Sequence, residues 1–302
     1  MNASGSHSGL WRVHPLCTLL ALKAFLLLAE GPAYGATFGS ERTLDESLDA
    51  RTGATHGNDH PSRISIRSGH RLRDYYVFVP GSIAPDTPAP VLLLLHGSYQ
   101  SPLDVLPQWT EVAERAGLIL AAPKSFADYG WRIHDDTPAL MRDIVDDLAT
   151  RRSIDRRRLY LFGHSAGGVH ALTLGLLESQ YFAAVAVHAG AWQQRDGFNA
   201  IPLARRKIPV WMTIGDQDRF FAMKDVTATE AALRNAGFPV TLTILKGHDH
   251  SYTDVAPSVN RAAWEFFEPL GLAQPPVFVN LRVVLAREPN PRTFAAGPVR
   301  YL

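Results

Sequence analysis

From Arg158 the chain reads Arg-Leu-Tyr-Leu-Phe-Gly-His-Ser-Ala-Gly-Gly, ending at Gly168, and an apolar stretch from Val169 to Leu177 follows. A short apolar run that would sit as a buried strand passes directly into Gly-x-Ser-x-Gly and then into an apolar helix. This is the pattern of a nucleophile elbow. It restricts the fold more than any other segment. The Ser must take a strained backbone conformation while strand and helix pass close on either side, and only glycine at 163 and 167 leaves room for that. The turn would hold Ser165 Oγ at the tip of a sheet, at a helix N-terminus that favours developing negative charge.

The rest of the chain alternates in the same way. Strands are expected at Arg73 to Val79, Val91 to Leu95, Leu118 to Ala122, Phe182 to Val187, Val210 to Ile214 and Val240 to Leu245. Helices are expected at Leu103 to Ala116, Pro138 to Thr150, Ala222 to Ala236 and Ser258 to Phe267. Strands alternating with helices of this length imply βαβ units and a mostly parallel sheet covered on both faces. The fully apolar Val91 to Leu95 suits a strand buried on both sides. A chain of 302 residues, 46% hydrophobic, can bury one large core, so one catalytic domain is expected over residues 63–270. The formal net charge of +1 gives no global field for nucleic acid. The basic run Arg151, Arg152, Arg156, Arg157, Arg158 reads as a solvated helix end and loop, and Asp143, Asp146 and Asp147 as solvated charge on one helix face.

Residues 1–35 read as a secretory signal. Arg12 and His14 precede the apolar run Leu16 to Leu28, and Ala33-Tyr34-Gly35-Ala36 suits cleavage near Gly35. The run is short for a membrane span, so an uncleaved anchor is the weaker alternative. A secreted or periplasmic protein is therefore expected, without stable membrane association once the signal is removed. Cys17, the only cysteine, lies in this segment, so the mature chain would hold no thiol. Residues 36–62 read as a flexible lead-in, and residues 271–302 as a tail with an edge strand at Val277 to Leu285.

In a parallel sheet covered on both faces, the site lies beyond the carboxyl ends of the strands. Those ends read His96-Gly97-Ser98, Gly163-His164-Ser165, His188-Ala189-Gly190, Gly215-Asp216-Gln217-Asp218 and Gly247-His248-Asp249-His250. A serine hydroxyl needs a base, and the base an orienting acid. Asp216 and Asp218 both stand where the acid should be, and His248 and His250 both where the base should be. The pair His248 and His250 also raises a metal site, since paired histidines bind zinc. Residues one apart on a turn rarely complete one, and no His-Glu-x-x-His or cysteine cluster accompanies them, so no metal and no cofactor is expected.

On these motifs, with Ile154-Asp155-Arg156 leading into the elbow and Ser251-Tyr252 following His250, the chain resembles the α/β-hydrolase fold. More narrowly, it resembles secreted carboxylesterases of the polyhydroxybutyrate-depolymerase-like and feruloyl-esterase-like kind, over about Asp74 to Phe267. The resemblance implies a sheet covered by helices on both faces with no large lid domain. It also implies a serine carboxylesterase acting through an acyl-enzyme on a small-molecule or oligomeric ester. It makes Ser165 the nucleophile, Asp218 the acid and His250 the base, with Asp216 left as a turn-stabilising residue and His248 as a solvated loop side chain. The oxyanion hole would combine the N–H of Ala166 with that of Ser98, or second of Tyr99. His96 is expected as a buried anchor of its loop, and His188 as a structural residue or pocket wall. Tyr99, Trp131, His164 and Trp192 are expected near the substrate, with Trp131 and Trp192 either stacking on an aromatic or cyclic acyl group or packing their loops. A polymer depolymerase or acyltransferase would use the same residues, whereas a noncatalytic binding protein of this fold would be expected to have lost a member of the triad.

Overall fold

The computed structural model describes residues 60–193 and 195–279. The signal segment, Cys17, nearly all of the lead-in and the tail from residue 280 onward lie outside those residues. Among the described residues, eight strands form one sheet in the order β1-β2-β4-β3-β5-β6-β7-β8. They are β1 (Ser62–Ser68), β2 (Arg71–Phe78), β3 (Ala89–Leu95), β4 (Ile119–Pro123), β5 (Ile154–His164), β6 (Ala184–His188), β7 (Val210–Gly215) and β8 (Val240–Leu245). β1 and β2 pair antiparallel, β2 joins β4 antiparallel, and every other pairing is parallel.

The helices cover both faces. They are α1 (Pro102–Val105), α2 (Thr110–Ala116), α3 (Pro138–Arg151), α4 (Ala166–Leu177), α5 (Met223–Asn235) and α6 (Ala256–Phe267). β3 is apolar throughout because its alternate residues serve two cores. Val91, Leu93 and Leu95 pack with Ile144 and Leu148 of α3, Leu172 of α4 and Leu233 of α5. Leu92 and Leu94 pack with Val105, Trp109 and Val112 on one side chain cluster and with Val259, Ala263 and Phe267 of α6. α4 is apolar all round and almost wholly buried, as a helix must be when it lies between the sheet and other elements.

Three elements depart from expectation. The helix expected from Leu103 to Ala116 is divided into α1, a 3-10 turn at Leu106–Trp109 and α2. Pro107 lacks the N–H that a continuous helix requires there. β1 was not anticipated, although Ile64 and Ile66 alternate with Arg63, Ser65 and Arg67 as a half-buried edge strand should. The expected edge strand at Val277 begins within the described residues, but 277–279 are not a strand.

The acidic face of α3 is also not simply solvated. Asp147 accepts the Tyr75 hydroxyl at 2.6 Å and pairs with Arg151 at 2.9 Å. Asp143 accepts the Ser68 hydroxyl at 2.7 Å, and Asp146 pairs with Arg156 at 2.8 Å. This face fastens the antiparallel β1–β2 hairpin to the parallel part of the domain.

The end of the described chain is fastened by Glu178. Its Oε2 accepts the Val279 N–H at 2.6 Å, while the Val277 N–H donates to the Gln180 carbonyl at 3.0 Å. The Arg142 guanidinium lies over the Phe278 ring at 4.7 Å. Glu178 is fully buried, and burial pushes its carboxyl up to about 8. A carboxyl raised in the folded state contributes stability that is complete below its unfolded value of 4.5 and is lost as pH rises through about 8. Glu178→Gln keeps an acceptor for Val279 and removes the ionisation. In thermal denaturation the variant is expected to match the parent near the low end of that window. It should exceed the parent by several degrees above it, where the parent must bury a charge.

Candidate active site

The elbow has the geometry its sequence demands. Ser165 sits between β5 and α4 with φ 56° and ψ −123°, a conformation that is costly for a residue with a side chain. Its N–H donates to the His188 carbonyl at 2.9 Å, which ties the turn to the end of β6. A Cβ at Gly163 would stand 2.1 Å from the Gly167 carbonyl oxygen, and one at Gly167 would stand 2.1 Å from that of Leu95. Both glycines are therefore required by close backbone approach.

Ser165 Oγ lies 3.0 Å from His250 Nε2, and His250 Nδ1 lies 2.7 Å from Asp218 Oδ2. The Asp218 side chain is buried and that of His250 is 19% exposed. Three loops at the carboxyl ends of β5, β7 and β8 thus converge on one hydrogen-bonded chain. The other oxygen, Asp218 Oδ1, accepts the N–H groups of Phe220 and Phe221 at 2.8 and 2.9 Å. These three donors fix the carboxylate, and the carboxylate in turn fixes Nδ1 as the protonated nitrogen of His250. Nε2 is then free to accept from the Ser165 hydroxyl.

The alternatives are placed elsewhere. Asp216 Oδ1 accepts the Gly247 N–H at 2.7 Å and joins the β7 and β8 ends, a cross-loop bond rather than a local turn contact. His248 is half-buried, and its Nε2 donates to the Ser251 carbonyl at 2.6 Å, so it is not a solvated side chain. His248 Nε2 and the two nitrogens of His250 serve different partners.

Ser98 and Ala166 face each other across Gly130. A Cβ built at Gly130 would lie 3.2 Å from Ser98 Oγ and 3.6 Å from Ala166 Cβ. The N–H groups flanking Ser98 are occupied: Gly97 donates to Gln100 Oε1 at 2.7 Å and Tyr99 donates to the Asp128 carbonyl at 2.7 Å. Among the described residues Ser98 N–H meets no acceptor. Ala166 opens α4, where N–H groups lack an intrahelical partner. Tyr99 is removed as a donor by its bond to Asp128, but its side chain is 76% exposed beside the site.

Trp131 and Trp192, read from the sequence as lining the substrate site or packing their loops, are interior. Trp131 is buried, stacks on His170, and donates Nε1–H to the His96 carbonyl at 2.7 Å. Trp192 is buried and donates Nε1–H to Thr173 Oγ1 at 3.2 Å. An indole whose N–H finds an interior acceptor packs its loop against the core.

His164 and His188 form a buried pair beneath His250. Their Nδ1 atoms are 3.0 Å apart, so one donates to the other, and the His164 ring centroid is 5.1 Å from that of His250. Burial holds both neutral, with His164 down at about 3. Tyr252 stacks on His164 and donates its hydroxyl to Asn260 Oδ1 at 2.6 Å. His96 is buried, and its Nε2 accepts the Ser125 N–H at 3.3 Å, which makes it an anchor for its loop.

The interior also holds an ion pair that no sequence pattern announces. Arg73 of β2 meets Asp136 at 2.6 Å with both side chains buried. Asp136 also accepts the Phe126 and Arg132 N–H groups, while its own carbonyl meets His170 Nε2 at 2.9 Å. This node holds the loop that carries Gly130 beside Ser98. The partners are far apart in the chain, so no local motif announces them.

Residues 69–269 match the model of the family Esterase, described as "Putative esterase". The chain belongs to the Esterase family. Among its relatives is a bifunctional acetylxylan esterase/xylanase of Neocallimastix patriciarum, 32% identical over 33% of this chain and 16% of that protein. Another is a poly(3-hydroxybutyrate) depolymerase of Ralstonia pickettii, 24% identical over 42% of this chain and 30% of that protein. The chain thus spans less than a third of the length of these relatives. A thermostable esterase of solved structure superposes with a TM-score of 0.58 at 19% identity, over 70% of this chain and 64% of that one. The fold that the Esterase-family chain adopts is the α/β-hydrolase fold.

Proposed function

We propose that this protein is an exported serine carboxylesterase. The observation that carries the reading is the chain Ser165 Oγ, His250 Nε2, His250 Nδ1, Asp218 Oδ2, with links of 3.0 and 2.7 Å. In this reading Ser165 attacks the ester carbonyl while its proton passes to His250 Nε2. Asp218 stabilises the imidazolium, and the N–H groups of Ser98 and Ala166 take the oxyanion. Collapse expels the alcohol, which receives the proton from His250 and leaves an acyl group on Ser165 Oγ. Water then attacks the acyl-enzyme by the same route and releases the acid. The intact chain of three favours an enzyme over a noncatalytic binding protein. Family membership and the named relatives support ester substrates.

The side chains around the site support small esters. Tyr99, Tyr129 and Phe220 are 76%, 51% and 65% exposed, and among the described residues no separate lid domain covers them. No helix of the described residues is long and apolar enough to cross a membrane. The test starts from protein recovered outside the producing cell. Its N-terminus is expected near Ala36, and it should hydrolyse acetyl, butyryl and feruloyl esters in preference to palmitoyl ones. A soluble cytoplasmic pool retaining Met1 contradicts export. Preference for palmitoyl esters with activation at an interface contradicts the open site.

A further inference from the structure

The Phe220 side chain has no role in the proton path described above, yet it is held as if position mattered. Its ring is 65% exposed, an unfavourable setting for a phenyl group, and its centroid lies 4.6 Å from that of His250. Its backbone is clamped at both ends. The N–H donates to Asp218 Oδ1 at 2.8 Å, and the carbonyl accepts from Gln193 Nε2 at 2.7 Å. The next residue, Phe221, is buried and stacks on the His250 ring at 5.9 Å, which fixes the loop from below. The oxygen atom that orients the Phe220 backbone therefore belongs to the carboxylate that orients His250.

Chemistry assigns a direction to this side of the site. To give its proton to the departing alcohol, His250 Nε2 must come within hydrogen-bond reach of the ester's alkoxy oxygen. The alcohol part of the substrate must therefore pass the exposed edge of His250, and the exposed ring in contact with His250 is Phe220. We infer that Phe220 is a specificity-determining residue for the leaving alcohol, selecting esters whose alcohol carries a flat, CH-bearing ring that can lie against the phenyl face. This rests on the serine carboxylesterase reading and deepens it by naming the alcohol class.

The test compares benzyl acetate with ethyl acetate, which share the acyl group and differ in the alcohol. Phe220→Ala is expected to lower the benzyl-to-ethyl ratio of kcat/KM about fivefold or more, with the loss carried mainly by KM for the benzyl ester. Phe220→Trp should keep the ratio, and Phe220→Leu, which keeps apolar bulk without a flat face, should fall between. A ratio that stays within about twofold in the alanine variant overturns the inference. Labelling of the parent protein by a fluorophosphonate reports on the underlying reading independently. With Ser165 labelled and the ratio unmoved, only the role of Phe220 fails. With no label on Ser165, both fail.

Discussion

Ser165→Ala is expected to reduce kcat/KM on an activated ester by about 10⁴-fold or more. The alanine removes the one oxygen that, among the described residues, is placed against His250 Nε2 and leaves the backbone donors untouched. Residual turnover would come from binding and oxyanion contacts alone. The substitution should fold well, since alanine accepts the elbow's φ of 56° no worse than serine does. His250→Ala should have a similar effect. The double variant should be little worse than either single one, because the two act as a unit. Circular dichroism alongside the kinetics separates lost chemistry from lost structure. Near-normal activity in folded Ser165→Ala that is abolished by a chelator would replace the serine mechanism with a metal-dependent one.

Asp218→Asn is expected to cost about 10³- to 10⁴-fold in kcat with the fold retained. The hydrogen bonds of Asp218 determine why. One of its oxygens accepts from His250, and the other accepts two backbone N–H groups, of Phe220 and Phe221. An amide has a single acceptor oxygen, and two donors already converge on one position. That oxygen should therefore stay with the backbone and turn the NH₂ toward His250 Nδ1. The imidazole must then carry its proton on Nε2, where it faces Ser165 and cannot act as a base. Asp216→Asn keeps an acceptor for the Gly247 N–H and should cost less than about tenfold. The comparison is kcat/KM for the two asparagine variants on one ester. A larger loss at Asp216 than at Asp218 would contradict the assignment of the acid.

The elbow, the strand order of the chemistry and the apolar centre of the sheet were legible because each follows from local rules. Glycines at a forced turn, a continuous apolar run in β3 and polar residues clustered at strand ends need no knowledge of distant contacts. The choice between Asp216 and Asp218, and between His248 and His250, was not legible from the residues alone. It depends on which loop side chain reaches across to a neighbouring strand end. The resemblance supplied an answer, and in the folded chain His250 lies within hydrogen-bond distance of both Asp218 and Ser165. Trp131 and Trp192 show another limit. The sequence reveals aromatic residues in loops beside the site, but which way an indole turns depends on acceptors such as the His96 carbonyl and Thr173 Oγ1. The Arg73–Asp136 pair and the fastening of the hairpin by α3 were invisible for the same reason. A charged residue on a helix looks solvated until the strand that covers it is placed.

The central claim is that Ser165 is a nucleophile activated by His250. A fluorophosphonate tests it most directly, because only an activated serine attacks phosphorus at a useful rate. After incubation and proteolysis, mass spectrometry should find a single adduct, on Ser165, and His250→Ala should almost abolish it. An adduct on another residue, or labelling of Ser165 that proceeds as fast in His250→Ala as in the parent protein, would contradict the account.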